Sequence, residues 1–304
     1  MIRFENEESH IRMMVKKGEL SYKIDMHLRK NKAKGVAING LPIRKARELL
    51  GVVNLVFFSP EDLNIIKDGP GERRRFSGFG ALSAGWCLYH GAGRLQSYRE
   101  PEKPSSQRLL YEPRAEKYPG CLGYADGRLR KEDHREAGSL CEELNEIARG
   151  LHKGLTGGIE ELEILYEPSV TAAEFEDKLS RNRERDLRMK LTSVGPHRDD
   201  FCVKVNGIDI RRYGSQGQQR TAALSLKLSE IYLVKKKIRD TPVLLLDDVL
   251  SELDSSRQTY LLESIHDIQT LITCTGLDDF VSHQFKINRV FQVVKGHVYM
   301  PKGF

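Results

Sequence analysis

The sequence predicts an α/β fold with a β-rich first part and a parallel-sheet later part, on three observations. Residues 1–76 carry the pattern of β-hairpins, with period-two alternation at Ser21-Tyr22-Lys23-Ile24-Asp25-Met26 and the turn pair Asn39-Gly40. Val243-Leu244-Leu245-Leu246 is a continuous apolar run of the kind found in strands buried on both faces, and it ends on Asp247-Asp248. Between these lies a helix from about Gln218 to Lys236, with Leu224, Leu228, Ile231 and Tyr232 on one face.

The remaining elements follow in chain order. Gly35 to Ile38 leads into the Asn39-Gly40 turn, and Val52 to Phe58 is an apolar run of strand length. Ser59-Pro60-Glu61-Asp62 then reads as a stop followed by a helix N-terminus, because Pro suits the first turn and acids suit the positive end of the dipole. Glu161 to Tyr166 is strand-like, and Thr171 to Lys190 is a charged helix with Arg181, Arg183, Arg185 and Arg188 on its later turns. Phe201 to Val205 alternates into Asn206-Gly207 and out through Ile208-Asp209-Ile210, a strong hairpin signal. Thr270 to Thr275 is a further strand.

Composition narrows the class without giving a function. At 39% hydrophobic and 30% charged, the 304 residues read as a globular protein of about two domains' length. No apolar run approaches a membrane span, the first twenty residues are polar, and five Cys without a CxxC favour a reducing, cytoplasmic setting. A net charge of +6 permits nucleic-acid binding but does not establish it.

The residues that carry chemistry are Tyr213-Gly214-Ser215-Gln216-Gly217-Gln218-Gln219-Arg220, the strand ending Asp247-Asp248, and then Ser251-Glu252-Leu253-Asp254. A small-residue turn at a helix start offers backbone N–H groups and a hydroxyl at the positive end of the dipole, which suits a phosphate. Adjacent carboxylates at the C-terminal end of a strand suit a metal-bound phosphate and the polarising of a water. Such carboxylates are costly if buried without a metal, which favours a site there. Taken alone, the turn reads as an ordinary helix cap and the acid pair as a strand end reaching solvent. The order and spacing of the whole set point to one site.

This set resembles the signature, Walker B and D-loop motifs of ABC-type ATPases, and specifically the RecF family of DNA replication and repair proteins. Leu191 to Asp200 (LTSVGPHRDD), Phe58 to Leu63 (FSPEDL) and Gly69 to Phe76 (GPGERRRF) look like further blocks of that family. The resemblance covers about residues 1–76 and 141–304. It implies an ABC head with a helical arm that binds ATP and Mg²⁺, forms a homodimer around ATP, and binds single-stranded or gapped DNA. RecR/RecO-type mediator proteins are the implied partners, in recombinational repair and SOS induction. By the same resemblance, Ser215, Gln216, Gly217 and Gln218 reach the γ-phosphate held by the other protomer, and Asp247 holds Mg²⁺. Asp248 takes the catalytic, water-polarising position, and Asp254 of the D-loop couples the two sites. A short acid at that position suits a slow ATPase used as a switch.

The chain departs from the family pattern in two places. No GxxxxGK[ST] occurs in it, so the expected fold is a partial ABC head without the Walker A strand and P-loop, binding ATP poorly. The second departure is residues 77–140, where the family builds its arm. Back-translated and read from the second base of each codon, Ser77 to Gly85 allows Leu-Asp-Leu-Glu-Leu-Cys-Gln-Leu. Arg99 to Pro104 allows Val-Asn-Gln-Arg-Asn, and Pro119 to Asp126 allows Leu-Asp-Val-Trp-Asp-Met-Gln. These are family-like arm segments in order and in one frame. The segment therefore reads as the arm out of frame, expected to be disordered. The expected division is 1–76, the β-rich lobe; 77–140, the aberrant segment; 141–190, the arm's end and return helix; and 191–304, the signature and Walker B lobe. Cys87, His90, Cys121, His134 and Cys141 lack zinc-site spacing, and Gly91-Ala92-Gly93 lacks the strand and Lys of a phosphate loop.

Arg73, Arg74, Arg75, Arg181 and Arg185 are the candidate DNA contacts, since phosphate recognition needs exposed guanidinium groups. A solvated basic face with Glu184 and Asp186 as internal partners is the plainer reading. His197 and Arg198 face the nucleotide or form a structural turn, and Thr273-Cys274-Thr275 stands where many ABC proteins place a switch His. Two alternatives stand beside this reading. One is another ABC-type DNA-repair ATPase, disfavoured because a long coiled coil separates its head halves. The other is a non-functional gene fragment.

Overall fold

A computed structural model describes residues 1–44, 46–49, 52–77, 127–171, 173–189, 193–195, 198–276 and 287–301. Strands β1 (Glu8–Lys17), β2 (Leu20–Arg29), β3 (Gly35–Ile38) and β4 (Leu41–Ile43) form an antiparallel meander in that order. The β3–β4 turn is the predicted Asn39-Gly40 pair. Both residues take positive φ, 51° and 83°, as a two-residue type I′ turn requires. The Asn39 side chain accepts the Lys23 N–H at 2.8 Å, pinning the turn to β2.

β5 (Leu55–Phe58) ends at a short 3₁₀ turn, Pro60–Leu63, whose N-cap Ser59 and Asp62 form a reciprocal capping box. Helices α1 (Asn64–Lys67) and α2 (Pro70–Ser77) follow. Helix α3 (Gly127–Leu155) leads to β6 (Leu162–Glu167), and α4 (Phe175–Met189) leads to the hairpin β7 (Asp200–Val205) and β8 (Ile208–Asp209). The turn between them is again Asn-Gly at positive φ, 51° and 78°. A single-turn helix α5 (Ile210–Tyr213) precedes α6 (Gln216–Ile238), then β9 (Val243–Asp247), α7 (Ser255–Ser264) and β10 (Thr270–Thr273). A small hairpin, β11 (Gln292–Val294) and β12 (His297–Tyr299), lies beyond.

Helix α6 is the axis of the molecule because it is apolar on two sides. Leu224, Leu228, Ile231 and Val234 pack against Val56, Phe58, Leu244 and Leu246 of the parallel sheet β10-β9-β5. Ala222, Ala223, Leu226 and Leu233 pack against Leu162, Ile164, Val203 and Val205 of the antiparallel sheet β6-β7-β8. Helix α3 joins both cores, with Leu151 and Leu155 in the first and Leu144 and Ala148 in the second. Helices α3 and α6 therefore share both cores.

Two expectations change. The β9 run was expected to be buried on both faces, but its burial alternates. Phe57, Leu245 and Leu271 lie in one register row across the three strands, and Phe57 is 50% and Leu271 54% exposed. One face of the parallel sheet packs on α6, while among the described residues nothing covers the other. The second concerns 77–140, expected to be disordered as a whole. Residues 127–140 instead form the first half of α3. The later turns of α3 are held by Leu144, Ala148 and Leu151 in the core, and extending a nucleated helix adds one hydrogen bond per residue. Residues 78–126, with Cys87, His90, Gly91-Ala92-Gly93 and Cys121, lie outside the described residues, as does the His134 side chain.

Candidate functional site

Ser215 caps α6. Its hydroxyl accepts the Gln218 N–H at 3.2 Å, and the Gln218 carboxamide oxygen accepts the Ser215 N–H at 3.0 Å. Two glycines have different duties around that cap. At Gly214 a Cβ would stand 2.7 Å from both the carbonyl oxygen and the Cβ of Ile210, so close passage over α5 admits no side chain. At Gly217 a Cβ would meet only the Ser215 hydroxyl, at 3.9 Å, so the approach to the turn is open. Ser215, Gln216 and Gly217 are exposed, Gln218 is half-buried, and Gln219 is buried with its amide donating to the Ile210 carbonyl at 2.7 Å. The first turn thus presents the positive end of a 23-residue helix to solvent.

Behind the turn runs a polar chain that sequence reasoning missed. Gln218 Nε2 donates to Glu160 Oε1 at 3.1 Å, and Glu160 Oε2 meets His152 Nε2 at 3.1 Å. His152 Nδ1 meets the Ser225 hydroxyl at 3.0 Å, one helical stretch further along α6. His152 is fully buried, and burial pushes its pKa below the usual imidazole value, against the pull of the Glu160 carboxylate. Nothing local in the sequence marks this chain, because its members come from α3, the loop before β6, and α6.

Asp247 closes β9 and Asp248 follows at φ 51°, a left-handed conformation that Asp tolerates better than most residues. The Thr273 hydroxyl at the end of β10 donates to Asp247 Oδ1 at 2.5 Å, and its oxygen accepts the Asp248 N–H at 3.1 Å. Thr273 stands at the strand end where a switch residue was expected, and its one hydroxyl holds the Asp247 carboxylate and the Asp248 backbone. Both carboxylates are exposed. The argument from buried uncompensated charge therefore does not apply. Ser251 donates to the Asp248 carbonyl at 2.8 Å, and Arg220 of α6 lies 3.6 Å from Glu252, joining α6 to this loop. Asp254 caps α7, accepting the Arg257 N–H at 3.0 Å and its guanidinium at 2.6 Å. The Arg257 N–H, with its side-chain charge, holds the Asp254 pKa below the usual carboxylate range.

These donors fit the phosphate end of a nucleotide. The open turn at Gly217 offers amides and a hydroxyl, and a single carboxylate with a hydroxyl neighbour suits Mg²⁺, which keeps most of its waters. Among the described residues no group of three or more His, Cys, Asp or Glu gathers to cage a metal.

The basic candidates divide. Arg73 is 2% exposed and grips Asp200 with two bonds, at 2.8 and 3.1 Å, while also donating to the carbonyls of Asp68 and Ile65. A guanidinium so enclosed is not available to DNA, which corrects that expectation for Arg73: its side chain locks α2 to β7. Arg74 is half-buried near the Asp199 carbonyl, and the Arg75 side chain lies outside the described residues. Arg181 and Arg185 are exposed, one turn apart on α4. Asp186, a suggested partner for them, is buried and instead accepts the Ser193 N–H at 3.0 Å. His197 lies outside the described residues.

A parallel sheet carrying acids at its strand end, a helix capped by a Ser-Gln-Gly-Gln turn, and an acid-capped helix after the sheet define an ABC-type ATPase head. A solved Smc head bound to the C-terminal winged-helix domain of ScpA shares this fold, with a TM-score of 0.55 over 96% of this chain and 73% of that one at 12% identity. Closer in sequence is the structure of the recombination mediator RecF with ATP, of the RecFOR pathway, with a TM-score of 0.74 and 29% identity over 98% of this chain and 82% of that one. The DNA replication and repair protein RecF of Agathobacter rectalis is 52% identical over 301 residues, 98% of this chain and 82% of the relative. That of Lachnospira eligens is 49% identical over 304 residues, 98% and 83% respectively. No protein-family model matches the chain. The chain belongs to the RecF family of DNA replication and repair proteins.

Proposed function

We propose that this chain supplies the signature, Walker B and D-loop side of an ATP-dependent DNA-binding switch in recombinational repair. The observation that carries the reading is the open, Ser215-capped start of α6, whose exposed amides and hydroxyl match a γ-phosphate presented from outside the chain. ATP would supply the transferable phosphate and Mg²⁺ the charge that neutralises it. The Ser215 hydroxyl and the Gln216 and Gly217 amides would bind that phosphate across a homodimer interface, with Gln218 holding the Ser215 cap behind them. Asp247, steadied by Thr273, would hold the metal through water. Asp248, turned outward at positive φ, would orient the attacking water, and its short side chain accords with slow turnover. Asp254 would connect the two composite sites through α7.

DNA recognition falls to the exposed Arg181–Arg185 face of α4, with single-stranded or junction DNA as ligand. RecR/RecO-type mediators are the protein partners on this reading, and its setting is cytoplasmic. Among the described residues no helix is long and apolar enough to cross a membrane.

The test mixes this chain with a P-loop-bearing RecF relative and follows association by sedimentation with ATP or ADP. Association with ATP alone, lost in Ser215→Arg, is the expected result. Association indifferent to nucleotide removes the switch and leaves a passive basic module. Residues 77–140 are, on the same reading, the family's arm out of frame. Genomic sequence through codons 77–141 that yields one continuous arm supports this, and confirmation of both frame changes makes the chain a broken gene product.

A further inference from the structure

We propose that Glu160 and His152 are positioning residues that set the signature turn from the end of the arm helix. The inference rests on the proposed phosphate-binding role of that turn. The chain of bonds is continuous. Gln218 fixes the Ser215 amide, Glu160 fixes Gln218, His152 fixes Glu160, and Ser225 returns the chain to α6 two turns further on. Among the described residues Glu160 is therefore the group that holds the capping glutamine to something outside its own helix turn. It sits five residues past the end of α3, in a loop whose Gly157 and Gly158 take φ of 62° and 82°, so its place follows the last turn of that helix.

The same turn also meets the helix that follows the D-loop acids. A Cβ on Gly154 would overlap the Tyr260 ring of α7, so α3 and α7 touch there without a side chain between them. One end of the arm helix thus bears on both halves of the site, through a hydrogen-bonded chain to the signature and through ring contact to α7. A rotation of α3 that moves Glu160 must either drag the Gln218 carboxamide or release it. Released, Gln218 leaves the Ser215 amide unpaired and the capping box opens. The phosphate-facing turn is then ordered only when the arm is in the position described here.

The chemistry predicts which substitutions keep the chain. Glu160→Gln retains an oxygen for Gln218 and offers an N–H to the lone pair of His152 Nε2, with the imidazole proton moving to Nδ1. Glu160→Ala breaks both bonds. Glu161→Ala, which removes only the surface partner of Arg149, is the control.

The experiment is hydrogen exchange on the full chain, resolved at the Ser215 and Gln218 amides and at Ala222 to Leu228 within α6. In Glu160→Ala the two cap amides should exchange about tenfold faster while the helix interior is unchanged, and Glu160→Gln should restore them. Unchanged cap amides, or a uniform rise along α6, overturns the proposal. ATP-dependent association of the unmutated chain with the P-loop-bearing relative is measured in parallel. If that association is absent but the cap amides respond, the nucleotide reading falls and the positioning stands. If association is present but the cap amides do not respond, the reverse holds.

Discussion

The guanidinium of Arg73 is 2% exposed and spends its donors on the Asp200 carboxylate and two carbonyls, whereas Arg181 and Arg185 are exposed on a helix surface. Arg73→Ala should therefore cost about 3 kcal/mol in urea unfolding, because it removes the buried partner of Asp200, which among the described residues keeps only Arg211 at 3.5 Å, together with two bonds to carbonyls. Arg181→Ala with Arg185→Ala should leave stability within about 0.5 kcal/mol and lower the salt slope of DNA binding by about 2. Equal stability losses for the two sets, or an unchanged salt slope, would contradict these assignments. Sequence could not separate the arginines, since three in a row look alike until β7, more than a hundred residues later, places Asp200 beside one of them. His152 gives a pH signature at the same scale. Its proton is held more weakly in the folded protein than in the unfolded chain, because burial and the Arg257 charge outweigh Glu160. The unfolded state thus takes up protons first as pH drops below 6.5, and stability, full above that point, declines with it. Urea midpoints should be lower at about pH 5.5 than at about pH 7.5 in the wild type, and His152→Phe should flatten the difference.

At the scale of elements, Asp254 has two separable duties. Asp254→Ala should cost about 1 kcal/mol by uncapping α7, while Asp254→Asn should keep the cap and remove only the charge. Thermal melts of the two variants show the division, and equal losses would mean that the charge, not the cap, is what α7 needs. Gly214→Ala should cost about 1–3 kcal/mol by forcing α5 away from the start of α6. Elements governed by local chemistry were legible in sequence. Both Asn-Gly hairpins, the Ser59 stop and the cap of α6 stand within two or three residues of where their turn residues place them. Elements set by distant packing were not. Helix α3 extends back to Gly127 because its later turns are anchored, and nothing in residues 127–140 announces that anchor. The same holds within the site, where Glu160 meets a partner 58 residues away in the chain.

At the scale of the whole molecule, the parallel sheet is covered by α6 on one face, and among the described residues nothing covers the other, where Phe57, Leu245 and Leu271 lie in a row. Sheets of this kind are ordinarily covered on both sides. Its apolar run was readable as a strand, but coverage depends on what else folds beside it, which no single run records. The chain alone should bind an apolar dye and self-associate with rising concentration, and Phe57→Glu with Leu271→Glu should reduce both. Absence of any change would mean that the open row is not the adhesive surface. Among the described residues β5 is an outer strand of this sheet, and an apolar face bordered by an open hydrogen-bond ladder is what chaperones and proteases recognise in an unfolded chain. How long this polypeptide survives in a cell would then be rationed by the supply of a surface to cover that face, so its abundance would follow its partner's expression rather than its own.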